Sequence, residues 1–253
     1  MSADPESPRP IPGENEADGA TVENLLLLNL PEKEWRTIYS QLVHMPLRIH
    51  DVLNEMAAPI KYAYFINSGL ASVLNVMEDG KSVEVGLTGR EGFVGLPLIV
   101  GFESSPSRVI VQIVGSGFRI GAKGFLSLLQ KCPTLERRLH RYSQVLASQS
   151  AQVAACNRLH GVDERLARWL LMSQDRVESD TVQLTQEFLA HMLGTRRSSV
   201  TVAASILQKA GLIEYTRGQV NIVDRRGLEQ AACECYRALV LQSSRWKDET
   251  RST

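Results

Sequence analysis

The chain has 253 residues, of which 43% are hydrophobic, and its 28 basic and 28 acidic side chains cancel to zero formal charge. That length supports two compact domains with real cores, and a neutral balance argues against wholesale coating of nucleic acid while leaving room for a local footprint. No apolar run is long enough to span a bilayer, and the four cysteines form no C-x-x-C pair. A membrane partner and a disulfide framework are therefore not expected, and the expected compartment is a reducing cytoplasm.

Residues 1–21, rich in proline and acidic side chains and without the order of a secretion signal, read as a disordered tail. A short helical lead-in spans Val22 to Ser40 through Leu25 to Leu28, Trp35 and Ile38. The period then changes to alternation, predicting strands at Leu47–Leu53, Ile60–Ile66, Gly69–Met77, Ser82–Thr88, Val109–Val114 and Phe118–Ile120. Turns are expected at Asn67-Ser68-Gly69, Glu78-Asp79-Gly80, Gly89 through Gly95, Ser104 to Ser107 and Gly115 to Gly117. Asp79-Gly80 between two alternating runs is a strong hairpin signal. Many short strands with glycine corners indicate an antiparallel roll. The segment Gly89 to Pro97 can act as an anion-cradling turn or as a plain barrel corner, and the corner is favoured. Arg108 is the cation that could face such a pocket.

From Thr134 to His160 neither proline nor glycine interrupts. Leu135, Leu139, Tyr142, Leu146, Gln149, Val153, Cys156 or Asn157, and His160 fall at alternating four and three spacing, a heptad-like stripe suited to pairing with a second copy. The same stripe could instead pack on the chain's own barrel. Gly161 ends this helix and is the candidate hinge. Division at 22–133, 134–160 and 161–253 follows.

Leu184 to Leu207 writes out two helices around Gly194. Leu189, Ala190 and Leu193 carry the first, and Val200, Ala203 and Leu207 bury one face of the second. Gly194 supplies the positive φ of the turn. The free face of the second helix then presents Thr195, Arg196, Arg197, Ser198, Ser199 and Thr201, types that grip phosphates and base edges at a helix N-terminus. Any αα-hairpin with a glycine turn shares part of this pattern. A following hairpin with a Thr-Arg-Gly turn at Arg217 makes the unit a winged helix-turn-helix. From Gly194 to Arg226 the basic residues Arg196, Arg197, Lys209, Arg217, Arg225 and Arg226 face only Glu214 and Asp224. Cys233-Glu234-Cys235, with one residue between its thiols, suits neither a zinc knuckle nor a thioredoxin-type motif, and an ordinary helix is favoured over a sensor. No catalytic motif such as G-x-S-x-G, H-E-x-x-H or a P-loop is present, so no enzyme is expected.

Roll, long helix, glycine hinge and winged helix, in that order, resemble the cyclic-AMP receptor and fumarate–nitrate-reduction (Crp/Fnr) family of bacterial regulators from about Leu25 to Tyr236. The likeness is most specific in T-Q-E-F-L-A-H-M-L-G-T-R-R-S-S-V. It implies an α+β fold: a cyclic-nucleotide-binding-like antiparallel β-roll, a long dimerisation helix, and a C-terminal winged helix-turn-helix. It also implies a homodimeric, sequence-specific transcription factor with double-stranded DNA and RNA polymerase as partners. The alternative is a cyclic-nucleotide-binding regulatory module acting through protein partners.

The resemblance places Arg197 at the guanine-reading position. Ser198 stands where a glutamate is common, and Val202 replaces a second arginine. Gly95 matches the nucleotide-phosphate loop, but Leu96 stands in for the ribose-binding glutamate. Arg108 matches the phosphate-binding arginine, with Val109 in place of its hydroxyl partner. An unpaired sugar hydroxyl on a buried ligand costs about 1–3 kcal/mol, which argues against cyclic AMP. No cysteine precedes Cys132, which argues against the N-terminal iron–sulfur cluster of the oxygen-sensing branch. His44 and His50 leave haem open, although a lone histidine near a strand is more often structural. No cofactor and no metal are expected.

Overall fold

The computed structural model describes residues 16–177, 179–216 and 218–251. The first half is an antiparallel roll in which β3 (Val43–Leu47), β8 (Arg108–Gly121), β5 (Tyr62–Val76) and β6 (Ser82–Thr88) lie side by side. Two short strands, β4 (Val52–Asn54) on β8 and β7 (Phe93–Val94) on β5, complete it. The Asp79-Gly80 hairpin forms as expected, with Val76 opposite Ser82 and Gly80 at φ 81°.

Three expectations are corrected. The turns at Asn67-Ser68-Gly69 and Gly115–Gly117 lie inside continuous strands, so four predicted strands merge into β5 and β8. Glycine bends the pair without ending it. Gly69 sits at φ +81°, where a Cβ would meet the Ile113 and Val114 carbonyl oxygens at 2.5 and 2.7 Å. The strand expected at Leu47–Leu53 is instead split by a turn, with the Arg48 N–H donating to Asp51 Oδ2 at 2.9 Å. Part of the expected tail is ordered. Residues 1–15 lie outside the described residues, but β1 (Glu16–Ala17) and β2 (Ala20–Thr21) form a small hairpin with Ala17 buried.

Of the helical lead-in, only α1 (Glu32–Tyr39) is helix. Leu25 to Asn29 is a turn clamped from both sides by polar groups. Buried Asn24 donates to the Ile66 and Gly92 carbonyls at 2.7 and 2.8 Å, while Arg138 donates to the carbonyls of Leu26, Leu28 and Asn29.

After β8 come α2 (Ala122–Leu129) and the long α3 (Pro133–Leu159). The stripe expected to face a second copy is buried within the chain. Leu135 and Leu139 are fully buried in the roll's own core with Phe93 and Phe125, Tyr142 bonds Thr88 at 3.0 Å, and Val153 is buried. Leu146 is half-buried, against Gly86 of β6. Burial of each such leucine contributes about 1.5–3 kcal/mol, and a nearby sheet supplies it without a partner.

The second half comprises α4 (Val162–Val177), β9 (Thr181–Gln183), α5 (Gln186–Met192), α6 (Arg197–Lys209), β10 (Ile213–Thr216), β11 (Gln219–Ile222), α7 (Arg225–Ala231) and α8 (Cys235–Arg251). β9, β11 and β10 form a three-stranded antiparallel wing. One hydrophobic core runs from Leu70, Leu74 and Leu87 of the roll into Trp169, Leu189 and Val200 of this half. At that junction buried Glu84 accepts from Ser72 Oγ (2.5 Å), Gln112 Nε2 (3.3 Å) and Trp169 Nε1 (3.0 Å). Burial pushes its carboxyl up to about 7, against the pull of Ser72, Arg168 and Trp169. Helix α8 packs along α3. Among the described residues no helix is long and apolar enough to cross a membrane.

Candidate nucleic-acid interface

Helix α5 starts at Thr185, whose Oγ1 accepts from the Phe188 N–H at 3.2 Å. It ends in a paired glycine cap: the Gly194 N–H donates to His191 O (3.2 Å) and the Thr195 N–H to Ala190 O (2.9 Å), with Gly194 at φ 56°. The chain thereby reverses sharply enough for α6 to cross α5. Val200, Ala203, Ala204 and Leu207 bury one side of α6.

Its other side carries the expected residues. Arg196, Arg197, Ser198 and Thr201 are exposed, and Thr195 and Ser199 are half-buried. No acidic residue lies in the first turn of α6, so its positive dipole end and two arginines act together on an anion. Farther along the same exposed surface stand Val202 and Ile206, 61% and 48% exposed. These are apolar groups of the kind that contact thymine methyls.

Three polar partners went unnoticed in the sequence. Thr185, Gln186 and Tyr215 join Arg197 and Gly218 around a notch of about 300 Å³ between the two helix starts and the wing. Thr201 Oγ1 donates to Gln186 Oε1 at 2.8 Å, and the Tyr215 hydroxyl donates to Leu184 O at 2.8 Å. No linear signal marks this notch, because the wing reaches the start of α5 only in the folded chain. Arg217 lies outside the described residues. Arg225 leaves the expected basic footprint, because its guanidinium pairs with Asp175 (2.7 Å) and Glu229 (3.0 Å).

In the roll, Gly95 and Leu96 line a cavity of about 1040 Å³ between the strands and α3. Its walls are largely apolar, including Val73, Val85, Val100, Phe102 and Leu146. Arg108 does not line it. Its guanidinium is engaged bidentately by Glu55 at 2.7–3.0 Å, and that bond holds the Glu55 carboxyl below its usual value. The Gly89–Gly95 corner docks a helix: Glu91 pairs with Arg176 of α4 at 2.7 Å, and a Cβ on Gly89 would meet Arg176 Cβ at 3.1 Å. The rings of His44 and His50 lie tilted against those of Phe118 and Phe188, with centroids 5.3 and 6.3 Å apart.

A second grouping was missed. Cys233 and Cys235 meet Cys156 and His160 at the foot of α3, with their ligand atoms all within 4.8 Å of one another. The one linear hint is the four-residue step from Cys156 to His160 on a single helix face. No metal was expected from the sequence, which did not bring this grouping of metal-ligand residue types together.

Residues 164–231 match the Crp-like helix-turn-helix domain. No curated protein matches the chain at the sequence level. Among solved structures, FixK2 from Bradyrhizobium japonicum is similar at a TM-score of 0.65 and 16% identity, over 76% of this chain and 98% of that one. A protein described as a transcriptional regulator of the crp/fnr family from Eubacterium rectale superposes at 0.63 and 16% identity, over 81% and 96%. The c-di-GMP responsive global regulator CLP of Xanthomonas campestris superposes at 0.61 and 17% identity, over 75% and 97%. At these identities the likeness concerns the fold.

Proposed function

We propose that this chain, a DNA-binding transcriptional regulator of the Crp/Fnr type, reads its operator as a homodimer, with α6 of each subunit in successive major grooves. One observation carries the reading: the glycine-capped turn presents Arg196, Arg197 and Ser198, all exposed, at the start of α6, whose first turn holds no acidic residue. Arg197 is the base reader, since its fork can bond guanine O6 and N7 together. Thr195, Arg196, Ser198, Ser199, Thr201 and the wing residue Arg217 serve as phosphate or base contacts. RNA polymerase is the expected partner once the protein is bound.

With the hydrophobic stripe of α3 buried internally, the pairing surface is its remaining exposed face. His140, Gln144, Ala147, Ala151, Ala154 and Arg158 are all exposed and keep the four-and-three step. Small side chains along that line allow two helices to approach closely. The cavity beside it, with Gly95 and Leu96 in its wall and Arg108 held by Glu55, supports an apolar effector over a cyclic nucleotide. The expected operator is a palindrome with half-sites about 34–36 Å apart.

Genomic mapping of binding sites supplies that operator, and Arg197→Ala tests the reading on it. The substitution should cost about 1–3 kcal/mol and relax preference at one base position. Unchanged affinity and footprint would remove α6 from the major groove.

A further inference from the structure

Two cysteines flank the start of α8, and a third cysteine and a histidine close α3. Cys156 and His160 are one helical turn apart, so their side chains leave the same face of α3. Cys156 Sγ lies 3.5 Å from Cys233 Sγ, and Cys235 Sγ lies 3.6 Å from His160 Nδ1. Around a tetrahedral zinc ion, bonds of about 2.3 Å to sulfur and 2.0–2.1 Å to nitrogen give S···S edges near 3.8 Å and S···N edges near 3.6 Å. These two spacings lie near those edges. The sulfur–sulfur one is too long for a disulfide, whose sulfurs lie about 2.05 Å apart.

The surroundings add independent support. His160 turns Nδ1 to the thiols, and its Nε2 is held by Glu234 at 3.1 Å, the carboxylate–histidine arrangement that orients a metal-binding imidazole. Gln152 Nε2 donates to Cys235 Sγ at 3.0 Å, a bond that stabilises a thiolate. Arg165 and Arg168, both buried, carry their charge beside this cluster. Among the described residues neither has a carboxylate within ion-pair distance, and the Nε of each lacks a partner. A divalent ion with three thiolates and a neutral imidazole carries a net charge of −1, which the positive charge of these guanidiniums favours.

We propose that Cys156, His160, Cys233 and Cys235 form a tetrahedral site for one thiophilic divalent cation of the zinc class. The site joins the foot of α3 to the head of α8. On loading, the three thiols release their protons to solvent and the four protein ligands close the shell, which makes the site structural rather than catalytic. Ligand atoms confined within 4.8 Å of one another enclose a single ion and exclude a multi-iron cluster, whose thiolates bind separate iron atoms. Because Gly161 follows His160 directly, the ion fixes the segment that connects the sensor roll to the DNA-reading half.

The test uses the full-length protein, reduced and stripped with a chelator, then titrated with Co²⁺ and with Zn²⁺ against a chromogenic competitor. One ion per chain is expected, with the strong visible absorption of tetrahedral cobalt–thiolate coordination and its displacement by Zn²⁺. Cys233→Ser and His160→Gln should abolish that spectrum, whereas Cys132→Ser, at a buried cysteine in the roll, should leave it intact. Glu234→Gln should keep the spectrum and weaken affinity about 10- to 100-fold. Reduced protein that takes up no cobalt, or gives an octahedral spectrum, overturns the proposal. So does a Cys233→Ser variant that is folded by circular dichroism and binds as tightly as wild type. Should Cys233→Ser not fold, the Glu234→Gln comparison decides in its place, and equal affinity there refutes the site.

Discussion

Glu84 is the polar centre of the junction between roll and DNA-reading half, and its burial makes a quantitative prediction. Its carboxyl faces Ser72 of β5, Gln112 of β8, and Trp169, Arg168 and Arg176 of α4. Loss of solvent outweighs all of these and raises it from the ordinary 4.5 to about 7. The folded chain therefore keeps a proton that the unfolded chain releases, so stability is greatest below pH 4.5. It declines as pH rises toward 7 and levels off above that. At about 1.4 kcal/mol per pH unit, wild type loses on the order of 3 kcal/mol across the window through this one group. Glu84→Gln is neutral at every pH and keeps an acceptor for Trp169, so it removes that dependence. Urea unfolding of both proteins from pH 4.5 to 7.5 isolates the effect as a difference, which should shift by about 2–3 kcal/mol in favour of the glutamine variant as pH rises. A difference constant to within roughly 0.5 kcal/mol would refute the reasoning, because it would mean that the carboxylate is solvated or paired in the folded state.

Leu139→Ala, at a fully buried position in the roll core, should cost about 2–5 kcal/mol in urea unfolding. Ala151→Glu, on the exposed face of α3, should leave subunit stability nearly unchanged and shift light-scattering mass from dimer to monomer. The reverse pattern would return the pairing surface to the buried stripe. Gly194→Ala meets both a φ of 56° and Val83 Cγ2 at 2.9 Å, so it should destabilise by about 1–2 kcal/mol, measured as a lowered urea midpoint. Glu55→Ala, in a pair about 40% exposed, should change stability by no more than about 1 kcal/mol, read in the same assay.

The helix-turn-helix was legible in the linear sequence because each of its instructions is local. Gly194 adopts the positive φ of the turn, and Val200, Ala203 and Leu207 mark one face within two turns of α6. Asp79-Gly80 is equally self-contained. The merged strands β5 and β8 were not legible, because glycine marks a bulge and a turn alike and only cross-strand pairing distinguishes them.

What only the tertiary structure decided is the choice of partner. An apolar stripe states that α3 must bury Leu135, Leu139 and Tyr142, but not whether a second copy or the chain's own sheet covers them; the sheet does. The pairing of Arg225 with Asp175 and of Glu91 with Arg176 depends on groups 50 and 85 residues apart. Cys156 and His160 likewise meet Cys233 and Cys235 only because α8 lies back along α3. Backbone preference is written over a few neighbouring residues, whereas chemistry assembled from distant segments exists only after the hydrophobic surfaces have selected one another.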